Sequence, residues 1–175
     1  MTNSSELVLR KLTLQDEDAF LLALNSWDSS SGFLFAQGFQ PGMKFSDYLE
    51  ILMANEKGER LPEGYVPATI LCGFVCNHLV GRVSVRHELN DFLHRIGGHI
   101  GYGVVPVFRK KGYARGMLAK TLPIAKEIGI KKALLTCDDD NIGSIKTIES
   151  CGGILENKVD AGQGKPEKRR YWIDL

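Results

Sequence analysis

Val104-Val105-Pro106-Val107-Phe108-Arg109-Lys110-Lys111-Gly112-Tyr113-Ala114-Arg115-Gly116 carries an apolar strand into a proline, a basic cluster and a Gly-x-Ala-x-Gly helix start. A helix start presents N–H groups without intrahelical partners and the positive end of the helix dipole. Gly112 lets the backbone approach an oxygen closely, and the small Ala114 keeps that face clear. Arg109, Lys110, Lys111 and Arg115 add mobile positive charge, so the segment reads as a pyrophosphate cradle. Two commoner nucleotide motifs are missing. Gly164-Lys165 is followed by Pro166, with Val159 at the first position, which excludes the P-loop. Gly101-x-Gly103 lies inside a strand, which excludes the dinucleotide fingerprint.

Downstream of this stretch, Lys111–Ile128 reads as a helix, Ala133–Cys137 as a strand, and Asn141–Cys151 as a helix stopped by Gly152-Gly153. Ile154–Val159 and Arg169–Ile173 supply two closing strands around the loop Asp160–Glu167. Upstream, His99–Val105 is a strand and Asn90–Ile96 a short helical turn. Ala68–Val75 and Leu79–Arg86 form a hairpin over Asn77-His78. Phe45, Tyr48, Leu49 and Leu52 place a helix over Phe45–Lys57. Phe20, Ala23, Leu24 and Trp27 place another over Asp16–Trp27, ended by Asp28-Ser29-Ser30-Ser31-Gly32. Glu6–Leu12 is a strand, and Phe33–Gln40 carries no assignable pattern. The order β, α, α, β, β, β, α, β, α, β, β predicts an α/β fold of the mixed α+β kind. One mostly antiparallel mixed sheet, with at least one parallel crossover, is flanked by helices. A doubly wound domain would alternate from the start.

The chain of 175 residues suits a single domain over positions 1–175, and 43% hydrophobic with 25% charged residues matches a folded globular chain. Twenty-two basic against 21 acidic residues leave a net charge of +1, too little for a protein that coats nucleic acid. No apolar run reaches the ~18 residues that span a bilayer. The start Met1-Thr2-Asn3-Ser4-Ser5-Glu6 lacks a secretory pattern, so the expectation is a cytoplasmic protein without membrane partners. Cys72, Cys76, Cys137 and Cys151 lie in apolar stretches rather than a disulfide framework. On an extended strand Cys72, Cys76 and His78 share a face with Phe74, which reads as core; no metal site is expected.

Arg109-x-x-Gly112-x-Ala114 after Val-Val-Pro, with Asn141-x-x-Ser144 and Glu149-x-x-Gly152 at the right separation, resembles the acetyl-coenzyme A signature of the GNAT superfamily of N-acetyltransferases. The matched stretch spans His99–Gly153 and is weakest over positions 28–66. The resemblance implies a single GNAT-like domain with acetyl-coenzyme A as cosubstrate and a small-molecule or peptide amine as acceptor; it also allows a homodimer. It places the pyrophosphate over Lys111–Arg115 and brings Asn141 and Ser144 to the pantetheine arm. Val104, Val105, Val107, Arg109, Lys110 and Tyr113 complete the implied cofactor set. Many relatives carry a tyrosine seven residues after the Asn, to protonate the departing thiolate; here that position is Ile148.

Acyl transfer to an amine needs a free amine, yet a lysine-like amine with a pKa near 10.4 is mostly protonated at neutral pH, so a base helps. Pro106 has no N–H, so the strand splays there and frees the amide of Val104 or Val105 for the thioester. His99, with the same parity as Gly101 and Gly103, is the first candidate base, and Glu88 is the second. Tyr102 faces the opposite side and is expected to pack. Asp138-Asp139-Asp140 reads as helix-dipole complement and caps rather than a metal or cation site. Two other readings stay open: a non-catalytic acyl-coenzyme A sensor, and an unrelated anion-binding module.

Overall fold

Alternation of Val83 and Val85 with Arg82, Ser84 and Arg86 gives the central strand one apolar and one polar face, and the chain builds a layer on each. The structure is a computed structural model that describes residues 6–28, 33–162 and 164–175. Strands β1 (Val8–Arg10), β2 (Ala68–Val75), β3 (His78–Arg86) and β4 (Ile100–Val104) form one sheet in that order, antiparallel throughout. Strands β5 (Lys132–Asp138), β6 (Ile154–Val159) and β7 (Lys168–Asp174) form a second antiparallel sheet in the order β5-β7-β6. The expected α/β fold with flanking helices is therefore present, but the single mixed sheet is divided. The crossover through α3 (Tyr113–Ile128) brings β4 against β5 without a parallel ladder among the described residues. At this seam His99 N–H donates to Leu134 C=O at 2.7 Å, and Leu134 N–H donates to His99 Nδ1 at 2.9 Å.

Helix α3 lies on the apolar face of the first sheet, where two missing side chains fix its position. A β-carbon at Gly73 would sit 2.7 Å from Met117 Sδ, and one at Gly81 would sit 2.6 Å from Met117 Cε. The glycines form a slot, and Met117 fills it completely buried, beside Leu71, Val83 and Leu118. On the other face pack α1 (Glu17–Asn25) and α2 (Phe45–Glu56). Phe20 there lies 5.1 Å from Phe45 and 5.3 Å from Tyr48 between ring centroids, distances typical of stabilising aromatic pairs. Phe35, from the segment without a sequence pattern, joins this cluster at 2% exposure from a turn, so its role is one anchoring ring rather than a periodic element. Helix α4 (Ile142–Ser150) packs on α3 and β5.

The α1 entry is a short turn, Leu14–Asp16, rather than the first turn of a helix over Asp16–Trp27. Asp16 accepts the Thr13 N–H and hydroxyl at 2.7 and 2.8 Å and both Arg10 donors at 2.7 Å. The Arg10 bonds outweigh burial, which acts the other way, and with the Thr13 bonds they pull its pKa down to about 2. The expected end of α1 at positions 29–32 lies outside the described residues. The β2–β3 turn sits one residue earlier than expected: Cys76 and Asn77 take left-handed φ of 48° and 64°, and Val75 pairs with His78. Cys76 is thus exposed in a turn, not on the Cys72 face, and among the described residues no cluster of three or more His, Cys, Asp or Glu could hold a metal. No helix among them is long and apolar enough to cross a membrane.

Candidate active site

Beyond Val104 the chain passes through a short turn, Pro106–Phe108, and enters α3 through Gly112, whose φ of 82° is the left-handed conformation glycine tolerates best. A β-carbon on Gly112 would meet nothing within 4 Å, and Gly112, Tyr113, Ala114 and Arg115 at the start of α3 border open space. That space is a cavity of about 730 Å³. It is lined by Arg109, Lys110, Gly112, Tyr113, Ala114 and Arg115 around the start of α3, by Asn141 before α4 with Ser144 and Thr147 on it, and by Trp27 and Phe33. An oxyanion group fits here: unpaired helix-start amides, a positive dipole end and flanking cations converge on open volume.

Most of the sequence-derived cofactor set lines this cavity, and three members do not. Val107 is 67% exposed on the outer side of the turn. Lys111 turns its ammonium toward the Phe108 ring, 5.6 Å from the centroid, where a cation–π contact competes with a role in the cradle. Val105 is buried and its N–H is spent on Val80 C=O at 2.9 Å. Of the two amides that the splay was expected to free, the geometry therefore favours Val104. Val105 lies on the hydrogen-bonded register with β3, and Val104 alternates with it, which turns the Val104 and Tyr102 N–H groups away from β3. Both residues line the cavity. Asn141 caps α4, its Oδ1 accepting Ser144 N–H at 3.0 Å, and its amide nitrogen is left as a donor.

At the inner end a second cavity of about 230 Å³ shares Phe33, Tyr102, Asn141 and Ser144 with the first. Arg86, Gly101, Thr136, Asp138 and Lys168 extend it. Tyr102 packs against the core, as its sequence position predicts, and it is also one of the four residues common to both spaces. Its hydroxyl donates to Ser144 C=O at 3.4 Å, and burial pushes its pKa up to about 12. The signal in the sequence was its parity with Val104 rather than with His99. Ile148, at the position of the usual tyrosine, is buried in the core at 1% exposure.

His99 lies elsewhere. It sits in the seam between the sheets at 9% exposure, lines neither cavity, and uses Nδ1 to accept the Leu134 amide. Burial first, then the Arg86 charge, lowers its pKa to about 4, so the ring is neutral and already engaged. Parity misled because Gly98, at φ 70°, redirects the chain just before the strand. Glu88 is exposed on the bend after β3 and lines neither cavity. Two of the three aspartates expected to serve the helix start are held by ion pairs instead: Asp138 with Lys168 at 2.6 Å, and Asp139 with Arg169 and Lys158 at 2.5 and 2.9 Å; Asp140 is exposed just before the Asn141 cap.

A model of the acetyltransferase (GNAT) domain family matches residues 6–154. No curated protein sequence matches the chain. Among solved structures, the chain is similar to the microcin self-immunity acetyltransferase MccE in complex with acetyl-CoA and AMP, at TM-score 0.67 and 22% identity, covering 99% of this chain and 98% of that one. It is also similar to YncA, an acetyltransferase of Salmonella typhimurium with its cofactor acetyl-CoA, at TM-score 0.63 and 14% identity over 97% and 94% of the two chains. A third is the spermidine/spermine N-acetyltransferase SpeG of Vibrio cholerae, at TM-score 0.62 and 19% identity over 97% and 95%.

Proposed function

Since the chain belongs to the acetyltransferase (GNAT) domain family, we propose that it moves an acetyl group from acetyl-coenzyme A directly to an amine held in the adjoining smaller cavity. The observation that carries this reading is the left-handed Gly112 at the start of α3, open to a cavity that Asn141 and Ser144 also line. The pyrophosphate takes the first-turn amides with Lys110 and Arg115, and the pantetheine arm runs past Asn141. The fold shared with MccE and YncA, both solved with acetyl-CoA, supports the same cosubstrate here.

In the reaction the amine nitrogen attacks the thioester carbonyl carbon, and the oxygen that becomes negative takes the Val104 N–H. The C–S bond then breaks, releasing coenzyme A thiolate. Tyr102 hydrogen-bonds that thiolate. With its pKa at about 12 against a thiol near 8.5, full proton transfer would be uphill by about 5 kcal/mol, so the hydroxyl stabilises the leaving group without ionising. The amine proton leaves through water in the smaller cavity, whose one lining carboxylate among the described residues is Asp138. Asp138 replaces His99 and Glu88 as the base in this reading. The loss of tyrosine at Ile148 was the motive for a non-catalytic sensor, and a hydroxyl supplied from β4 removes it.

The test is thiol release from acetyl-coenzyme A across an amine panel, alongside thermal stabilisation by coenzyme A. Stabilisation together with amine-dependent release is expected. Stabilisation without release from any primary amine would refute the transferase reading, and no stabilisation would refute the cradle.

A further inference from the structure

Arg82 and Arg86 stand on one face of β3 with Ser84 between them, and neither has an ion-pair partner among the described residues. Arg82 is 4% exposed; one donor goes to Leu34 C=O, and its Nε is buried without a partner. Arg86 is half-buried, and both of its hydrogen bonds start from Nη1, to Gly97 C=O at 3.2 Å and Gly98 C=O at 3.0 Å. Charges taken from water without a counter-ion are costly, and a bound anion is the usual compensation. Burial lowers the pKa of both, and for Arg86 the neighbouring Arg82 charge adds to the effect.

Of the two arginines, Arg86 is the one that reaches open space. Over Gly103, which pairs with Arg82, Trp27 and Phe33 fill the volume, whereas at Gly101, which pairs with Ser84, a β-carbon would lie 3.7 Å from Arg86 Nη1, so the bare glycine lets the guanidinium border the cavity. Arg86 and Gly101 line the smaller cavity next to Tyr102. The other charged groups lining it, Asp138 and Lys168, are joined at 2.6 Å and cancel. One guanidinium charge, that of Arg86, is left over in the wall of this cavity.

Resting on the acetyl-transfer reading, we infer that the acceptor is an amine that also bears a carboxylate, which the Arg86 guanidinium holds. A guanidinium fork matches a carboxylate in geometry as well as charge. The same charge works against acceptors with a second ammonium group, so the subsite discriminates by attraction and repulsion together.

The experiment compares γ-aminobutyrate, butylamine and putrescine as acceptors in thiol release by the full chain. In parallel, thermal shifts of the coenzyme A complex are measured with succinate or putrescine. γ-Aminobutyrate should exceed butylamine in kcat/KM by about tenfold or more, with putrescine lowest. Arg86→Gln should erase the difference, Arg86→Lys should keep part of it, and coenzyme A should stabilise both variants as it does the wild type. Succinate should raise the melting temperature of the wild-type complex but not that of Arg86→Gln. Equal use of the three amines, a preference for putrescine, or a carboxylate preference that survives Arg86→Gln would overturn the inference. If none of the three amines reacts, the succinate shift decides: its absence sinks the subsite while the coenzyme A shift still stands. A missing coenzyme A shift instead sinks the acetyl-transfer reading. The wild-type arms are decisive even if a variant fails to fold.

Discussion

Replacing His99 separates a sheet clamp from a catalytic base. In the folded chain its pKa lies at about 4, against an ordinary 6.5 when unfolded. Between those values the unfolded chain binds more protons, so stability rises with pH through the window from about 4 to 6.5. It is fully present above 6.5 and lost as the pH falls toward 4, by at most roughly 3 kcal/mol. The cause is geometric as well as electrostatic, because protonating Nδ1 removes the acceptor of the Leu134 N–H, and Leu134 is fully buried. His99→Asn retains a side-chain acceptor and does not titrate. His99→Leu leaves the buried Leu134 donor unpaired, at a cost of about 1–3 kcal/mol. Urea denaturation on both sides of this window measures all three proteins. The wild type should lose more stability on acidification than His99→Asn by up to the figure above, and His99→Leu should be the weakest at neutral pH. Thiol release by His99→Asn should keep the wild-type rate and acid limb. An acid loss in His99→Asn equal to that of the wild type would refute the clamp. A fall in turnover of about 10²–10⁴ with unchanged coenzyme A affinity would return His99 to catalysis.

Gly112→Asp puts a carboxylate and a strained left-handed residue where the pyrophosphate approaches, so calorimetry should find acetyl-coenzyme A binding lost by at least about a hundredfold in a folded variant. Asn141→Asp should melt like the wild type, since Asp caps as well as Asn, while the Michaelis constant for acetyl-coenzyme A rises with the loss of the amide donor; unchanged kinetics would leave only the cap. Tyr102→Phe removes the hydroxyl from the thiolate and should lower kcat by about ten- to a hundredfold with little change in the Michaelis constant. Equal turnover in that variant would mean that the thiolate leaves unaided.

Local signals carried further in the sequence than long-range ones. The cradle was legible because helix capping, glycine conformation and charge are properties of adjacent residues, and Gly112, Ala114, Arg115, Asn141 and Ser144 all fall on the cavity. The order of elements along the chain was legible for the same reason. What escaped depended on partners far along the chain. The divided sheet depends on how closely β4 approaches β5, and one contact between His99 and Leu134 marks the seam, 35 residues apart. The smaller cavity is assembled from Arg86, Tyr102, Asp138 and Lys168 on four different strands, and no spacing rule links them. Parity along the sequence took His99 as the first residue of the strand, whereas it stands before β4, in the seam between the sheets.

The slot that Gly73 and Gly81 open for Met117 has a reach beyond packing. Met117 is the fifth residue of α3, one turn from the amides that face the cavity. Where those amides stand is therefore gauged against the interior of the sheet, by a thioether wedged between two glycines on neighbouring strands. A methyl group added at Gly81 lies outside the cavity, yet it would press on the Met117 methyl at 2.6 Å and on the Gly103 carbonyl at 2.5 Å, in the strand that borders the cavity. A change in the shape of this cavity can therefore begin as a steric conflict in the interior of the sheet, at a glycine that lines neither cavity.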